Sequence, residues 1–178
     1  MVLAVVLPVL AAMAWWLAGA HVGLRVARDV PDDVRRLAID VWADTAAALP
    51  ARAACLDGAL LVTDRDLGDR ARYLPASSTI VLRIPATAAQ LESALIHELA
   101  HHIERTCADH LALRPAFLAA QGHPADADWF TGDRWDDVPS EQYAEAMVLH
   151  VRGRRGFHRQ MHIDGAALAA VRAWAEGH

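Results

Sequence analysis

Lysine is absent from this chain of 178 residues, and all 17 basic residues are arginines. Such a composition indicates a coding bias more than a physical need for guanidinium groups. The net charge of −5 at pH 7 excludes the basic footprint that is typical of nucleic-acid-binding proteins. Glutamate is also scarce, with six residues against sixteen aspartates, yet four of the six fall within segments 98–104 and 141–145.

Charged residues are missing from the first 24 positions, and the first to appear is Arg25. An apolar run of this length can span a bilayer as a helix. We predict that residues 1–24 form a signal peptide or transmembrane anchor, and that residues 25–178 form one domain that is secreted or held outside the cytoplasm by this anchor. Ala18-Gly19-Ala20 suits cleavage, whereas the arginines that follow the run favour a cytoplasmic-facing anchor, so both remain open.

Hydrophobic periodicity and turn residues predict an α+β fold, in which a small sheet packs on two helices that carry the motifs discussed next. The predicted helices are 31–48, 87–106, 111–120, 139–152 and 164–175, and the predicted strands are 58–63 and 78–84. A polar turn is predicted between the two strands. A loop is predicted at 121–140, where three aromatic side chains look exposed: Trp129, Phe130 and Trp135.

The most informative motif is His97-Glu98-Leu99-Ala100-His101, in the middle of a predicted helix that directly follows a strand. On a helix, positions i and i+4 lie ~40° apart around the axis, so both imidazoles can converge on one metal ion. Glu98 projects about 60° further round, where it can reach a water molecule at the metal without being a ligand. Such a site needs a third protein ligand and an open fourth position.

Two glutamates, Glu141 and Glu145, are the candidates for the third ligand. They share one face of predicted helix 139–152, and the residues around them are largely apolar. One carboxylate can bind the metal while the other accepts a hydrogen bond from a ligand histidine. Either residue fits the ligand role, and we favour Glu141.

Other polar residues near the motif have less specific interpretations. His102 is predicted to be a surface or second-layer histidine, and Glu104 lies two turns from His97, too far to join the same ion. Glu104 suits a polar contact to the loop or to a ligand. Cys107 is a weak candidate ligand. It is one of only two cysteines, and in an exported protein it would favour a disulfide with Cys55.

The combination of His97-Glu98-Leu99-Ala100-His101 with Glu141-Gln142-Tyr143-Ala144-Glu145, after a strand, resembles the gluzincin zinc metallopeptidases. The similarity is greatest to their small single-domain and lethal-factor-like members, and it covers residues 78–152. It implies a zincin-like fold and one Zn²⁺ ion. It also implies metal ligands His97, His101 and Glu141, an outer carboxylate at Glu145, and a catalytic general base at Glu98.

The resemblance further implies a peptide or protein substrate, which would lie along the strand at 79–84 as the edge of the sheet. Nucleic acid is not an expected partner, and the membrane is one only if the N-terminal segment is retained. Such peptidases often carry a Tyr or His that stabilises the oxyanion. Tyr143 is predicted to point away from both glutamates, which leaves His123, Arg134 and His150 as candidates.

Two other functions remain open. The domain can be a zinc-stabilised binding or regulatory module that lacks efficient catalysis, although such a module has no need for Glu98. It can also be a cytoplasmic-facing regulatory protease that cuts one partner, consistent with the arginines that follow residue 24.

Overall fold

Four strands and five helices make up the part of the chain described by the computed structural model, residues 23–155 and 161–178. The strands are β1 (Arg25–Val26), β2 (Leu60–Asp64), β3 (Ala71–Leu74) and β4 (Thr79–Arg83). The helices are α1 (Asp32–Ala48), α2 (Ala88–Thr106), α3 (His110–Gln121), α4 (Pro139–Arg152) and α5 (Gly165–Glu176). The predicted signal or anchor segment, 1–24, lies outside the described residues except for its last two. Among the described helices, none is both long and apolar enough to cross a membrane.

The strands form one mixed sheet in the order β1-β2-β4-β3. β1 and β4 run parallel to β2, whereas β3 runs antiparallel to β4 and forms an edge. Ile80 and Leu82, at alternate positions of β4, are fully buried beneath the helices. α2 packs on β3, on β4 and on α4. The predicted α+β class is therefore confirmed, with a small sheet packed on one of the two helices that carry the motifs.

Helix α2 begins with the predicted capping box. The Thr87 hydroxyl accepts a hydrogen bond from the Gln90 amide, and the Gln90 side chain accepts one from the Thr87 amide. These two bonds satisfy amide groups that a helix N-terminus otherwise leaves without a partner. An apolar stripe then buries the inner face of the helix, with its members at helical spacing: Leu91, Leu95, Leu99 and Ile103. Packing of this apolar stripe therefore fixes the position of the helix.

Helix α4 has the sequence signals expected at both ends. Pro139 occupies its first position, where a missing amide hydrogen costs nothing, and Gly153 ends it with a φ of +67°. Tyr143, Ala144 and Met147 are fully buried. Their burial turns the opposite edge of the helix, with Glu141, towards α2.

Cys55 and Cys107 form a disulfide, as predicted for an exported chain. The bond joins the 3₁₀ turn Ala53–Leu56 to the residue that follows α2, with the two Cα atoms 5.1 Å apart. It therefore tethers the C-terminal end of the motif helix to the segment that precedes β2.

The segment between β2 and β4 differs from the predicted turn, because it contains strand β3. Its side chains alternate: Ala71 is half-buried and Tyr73 buried, while Arg72 and Leu74 are exposed. The prediction that 79–84 forms the sheet edge is consequently wrong. β4 lies between β2 and β3, and β3 is the edge strand on this side.

His110 is fully buried in a cluster of aromatic rings formed by Trp129, Tyr143 and Trp174. Burial lowers its pKa to about 4, with a further lowering by the charge of Arg114 and an opposing effect of Glu104. Between this pKa and the ordinary histidine pKa of 6.5, the unfolded chain binds a proton that the folded chain does not. The free energy of unfolding should therefore fall as the pH falls through this window, by up to about 3 kcal/mol.

We expect His110→Phe to reduce this loss of unfolding free energy at low pH, because phenylalanine removes the titrating group and fits an aromatic environment. Urea unfolding at a series of pH values between 6.5 and 4 measures the effect, with a chelator present so that metal release does not contribute. The loss of the Arg114 hydrogen bond to the His110 ring should cost about 1 kcal/mol at all pH values. Equal slopes in the two proteins would contradict the assignment.

Candidate metal centre

Helices α2 and α4 bring together three of the predicted site residues. His97 and His101 lie one turn apart on α2, with ring centroids 4.8 Å apart, and Glu141 lies in the first turn of α4. The donor atoms of these residues all fall within 4.8 Å of one another. The three side chains are partly buried.

The distances between donor atoms test whether a metal ion fits. Nε2 of His97 lies 3.1 Å from Nε2 of His101 and 3.0 Å from Oε2 of Glu141, and the third side of the triangle is 3.6 Å. Ligands about 2.0–2.1 Å from a tetrahedral zinc ion stand roughly 3.3 Å apart. The triangle therefore has the size that a small tetrahedral cation needs, and the residues present fit such an ion.

Each histidine is also bound from behind by a buried carboxylate. Nδ1 of His97 lies 3.1 Å from Oε1 of Glu145, and Nδ1 of His101 lies 2.8 Å from Oε1 of Glu104. When Nδ1 donates its hydrogen to the carboxylate, the lone pair is left on Nε2, which faces the centre of the triangle. The arrangement fixes the tautomer that a metal ligand requires.

Glu104 is the most highly bonded carboxylate of the cluster. Its Oε1 accepts a hydrogen bond from the Ser140 hydroxyl at 2.7 Å, and its Oε2 accepts one from the Trp129 indole at 2.6 Å. The side chain thus connects α2 to the loop before α4 and to the first turn of α4. The two predicted roles, a loop contact and a contact with a ligand, occur together.

The charges of the cluster favour a cation. Burial alone would lower the pKa of His97, but its hydrogen bonds to Glu141 and Glu145 outweigh burial and raise it to about 10. Burial would also lower the pKa of His101. Its hydrogen bonds to Glu104 and Glu141 outweigh burial and raise this pKa to about 9. Burial raises the pKa of Glu141, yet both histidines together hold it well below its usual range. Positive charge is therefore stabilised here, and a proton or a divalent cation can supply it.

Glu98 lies in the same cavity and is not one of the three clustered donors. Its side chain is buried, and burial raises its pKa, although His97 and His101 oppose that rise. The backbone of Tyr73, in β3, makes a smaller contribution that lowers the pKa of Glu98. Glu98 and the edge strand β3 line the same cavity.

A cavity of about 720 Å³ opens above the cluster. Strand β3 forms one wall, α2 forms the floor, and the first turn of α4 and the preceding loop form the other wall. Trp135 stacks against the His97 ring at a centroid distance of 6.4 Å and is 43% exposed. The side chains of His97, His101 and Glu141 line this cavity and are partly exposed, so the donor atoms are open to solvent.

No family model, curated protein or solved structure matches this chain. The assignment of the site rests on its own geometry.

The three candidates for an oxyanion donor do not line the cavity. His123 bonds the Gln142 side chain, His150 donates to the Ala48 carbonyl, and Arg134 pairs with Asp136. Tyr143 is fully buried and faces away from the cavity, as predicted. None of the residues predicted as oxyanion donors therefore lies in the cavity.

One further expectation needs correction: Trp129 looked exposed in the sequence but is buried, and its indole donates a hydrogen bond to Glu104. Of the two placements predicted for His102, surface or second layer, burial excludes the surface. Its ring bonds the Tyr73 hydroxyl through Nδ1 and the Asp57 carbonyl through Nε2. The Tyr73–His102 contact ties β3 to α2. The alternation of small or aromatic with charged residues at 70–73 was the only sequence signal for it.

The carboxylates behind the histidines provide a test of the centre. We expect Glu104→Gln and Glu145→Gln each to weaken zinc binding by about 10–100-fold, because an amide makes a weaker acceptor and no longer fixes the histidine tautomer. Competition with a chromophoric chelator measures the affinity. Glu176→Gln, at an exposed position of α5, is the matched control and should bind zinc as the unmodified chain does. Unchanged affinity in both buried variants would contradict the assigned roles.

Proposed function

We propose that this protein is a zinc-dependent peptidase of the gluzincin type. The observation that carries the proposal is the triangle of His97, His101 and Glu141 donors with Glu98 beside it in one open cavity. Two histidines and one glutamate are a donor set of catalytic zinc sites, which keep a fourth position for water or substrate. The substrate is accordingly a peptide or a protein.

The roles follow from the positions of the residues. His97, His101 and Glu141 would hold the ion, and bound zinc would polarise the scissile carbonyl and lower the pKa of a water molecule. Glu98 accepts the proton of the attacking water and returns it to the leaving amine. Its raised pKa makes the Glu98 carboxylate a stronger proton acceptor than an ordinary carboxylate, and a pKa shifted towards the working pH suits a group that both takes up and returns a proton.

Strand β3 is proposed to bind the substrate backbone. It is the sheet edge that lines the cavity, and an edge strand can pair with an extended peptide by adding it to the sheet. The peptide would then lie beside the metal cluster, with main-chain bonds fixing its position.

An extracytoplasmic location, secreted or anchored, is also proposed. The Cys55–Cys107 disulfide supports it, because such bonds persist in oxidising compartments. Fusion of a periplasmic-type reporter enzyme after residue 178 tests the orientation: activity of a reporter that functions only outside the cytoplasm is the expected result.

A zinc-stabilised binding or regulatory domain is the second candidate function. It is favoured by one observation, that the predicted oxyanion donors His123, Arg134 and His150 do not line the cavity. Such a domain would bind peptides without cutting them.

One experiment separates the two candidates. The purified chain, loaded with zinc, is incubated with a pool of unstructured peptides and the products are analysed by mass spectrometry. Cleavage that stops on chelation and returns with zinc supports the peptidase. Stoichiometric zinc with no cleavage of any peptide supports the binding domain.

A further inference from the structure

Strand β3 directs one set of its backbone groups towards the open edge of the sheet. The Arg83 amide donates to the Arg70 carbonyl at 2.9 Å, so these two residues form a directly hydrogen-bonded pair of the antiparallel β3–β4 ladder. Such pairs alternate along the ladder with pairs that do not bond each other. By the register of the two strands, Ala71 and Tyr73 belong to pairs of the second kind. Their amide and carbonyl groups therefore point away from β4.

Tyr73 is the outward-facing position that lies nearest to the chemistry. Its backbone is one of the groups that lower the pKa of Glu98, so it lies close to that carboxylate, and Tyr73 lines the cavity above the donor atoms. A peptide that adds to the edge of β3 would bond the outward groups of Tyr73. Pairing at this residue would bring the substrate main chain beside Glu98.

The Tyr73 side chain connects the same residue to the helix that carries two of the metal ligands. Its hydroxyl lies 3.1 Å from Nδ1 of His102, which directly follows His101 in α2. The two rings also meet edge to face, with centroids 5.6 Å apart. Of the other side chains in β3, two are apolar and Arg72 bonds Asp69. The hydroxyl of Tyr73 is therefore the side-chain group that sets the position of β3 against α2.

His102 is held on its other side as well. It is fully buried, and its Nε2 lies 3.0 Å from the Asp57 carbonyl. A carbonyl oxygen can only accept, so Nε2 carries the hydrogen, and Nδ1 of the neutral ring accepts from the Tyr73 hydroxyl. The Cys55–Cys107 disulfide joins the turn before Asp57 to the end of α2. The acceptor that Tyr73 reaches is thus fixed by two elements.

On these observations we infer that Tyr73 is a positioning residue. Through its bond to His102 it holds the edge of β3, and with it the paired substrate, at a fixed distance from the metal ligands. The inference rests on the proposed peptidase function and on substrate addition to β3. It goes further in assigning the placement of the substrate to one hydroxyl group.

The chain contains only two tyrosines, and they form a matched pair for the test. Tyr73→Phe removes the hydroxyl that bonds His102, whereas Tyr143→Phe makes the same change at a fully buried residue that faces away from the cavity. With an extended peptide, Tyr73→Phe should lower kcat by about 10–100-fold while KM changes less than about twofold, because a small misplacement of the scissile bond slows the chemical step. Tyr143→Phe should retain kcat. Zinc affinity should be unchanged in both.

A short substrate separates positioning from damage to the fold. A blocked dipeptide contains the scissile bond but has no residues to pair along β3, so Tyr73→Phe should cleave it as fast as the unmodified chain does. An equal loss on the extended and the short substrate would assign Tyr73 a purely structural role and overturn the inference. A loss confined to KM would also overturn it.

Variants of His102 test the bond from its other end. The amide oxygen of asparagine stands near the position of Nδ1, whereas the polar atoms of glutamine stand near that of Nε2. His102→Asn should therefore keep most of the kcat on the extended peptide, and His102→Gln should behave as Tyr73→Phe does. Tyr73→Phe combined with His102→Gln should be no slower than either change alone, because both remove the same bond. Additive losses would overturn the inference.

A readout without cleavage distinguishes this inference from the proposed function. In Glu98→Gln with cobalt(II) in place of zinc, a fluorine label beside the scissile bond reports through its paramagnetic shift how the bound peptide lies relative to the metal. Tyr73→Phe should reduce this shift while the peptide affinity changes less than about twofold. Absence of cleavage by the unmodified chain, with this difference present, overturns the peptidase alone. Cleavage and a shift that both ignore Tyr73→Phe overturn the inference alone, and a chain that binds no peptide overturns both.

Discussion

Glu98→Gln should abolish nearly all peptide cleavage while the protein keeps its zinc. Glutamine has almost the same shape but cannot accept the proton of the attacking water, and general acid–base catalysis contributes about 10²–10⁴ in rate. Glu98 is not part of the donor triangle, so the metal affinity should change little. We therefore expect kcat to fall roughly a thousandfold.

Two measurements check this result together. Zinc per chain is determined by elemental analysis, and kcat is determined on a peptide that the unmodified protein cleaves. Glu92→Gln is the matched control, because Glu92 lies on the same helix but pairs with Arg152 outside the cavity. Full activity in Glu98→Gln would show that Glu98 is not the general base. A zinc content that falls together with the activity would also contradict this role.

The second large effect concerns the ligands. His101→Ala should lower zinc affinity by on the order of 10³-fold, since structural zinc sites with four ligands bind with about 10–16 kcal/mol and each ligand accounts for a share of that. The loss should be larger than for either variant of the carboxylates behind the histidines. It also leaves Glu104 buried with one partner fewer.

Zinc titration with a competing chelator measures this loss, and thermal unfolding with and without zinc shows its consequence for stability. The unmodified protein should gain stability on zinc addition, because an ion that binds only the folded state shifts the equilibrium towards it. His101→Ala should gain almost none. His123→Ala provides the comparison, because His123 is a partly buried histidine that bonds Gln142 away from the donors. A similar gain in all three proteins would rule out the centre.

The helices that carry the site were predictable from the sequence because their signals are local. Thr87 and Gln90 specify the start of α2, and Pro139 and Gly153 mark the ends of α4. The convergence of His97 and His101 follows from helical spacing alone. Their approach to Glu141 does not, because 32 residues (107–138) separate α2 from α4 and no local rule fixes how two such helices pack.

Features that depend on tertiary partners were missed. β3 has only four residues and follows a segment rich in Asp, Arg and Gly, so its alternation was too short to stand out. Trp129 belongs to an irregular segment, and its burial depends on a hydrogen bond to Glu104, which no local pattern announces. The pairing of Glu104 with His101 was accessible in principle, since they are three residues apart on one helix and therefore neighbours.

The bonds of Glu104 have a consequence for the long connection between α3 and α4. That connection is largely irregular. It is attached to Glu104 of helix α2 through the Trp129 indole and, at its C-terminal end, through the Ser140 hydroxyl. One carboxylate thus orients His101, a candidate metal ligand, and anchors the segment that forms a wall of the cavity. Sequence change in this segment is therefore constrained at those two anchor points, and also at Trp135, whose ring stacks on that of His97 at the entrance of the cavity.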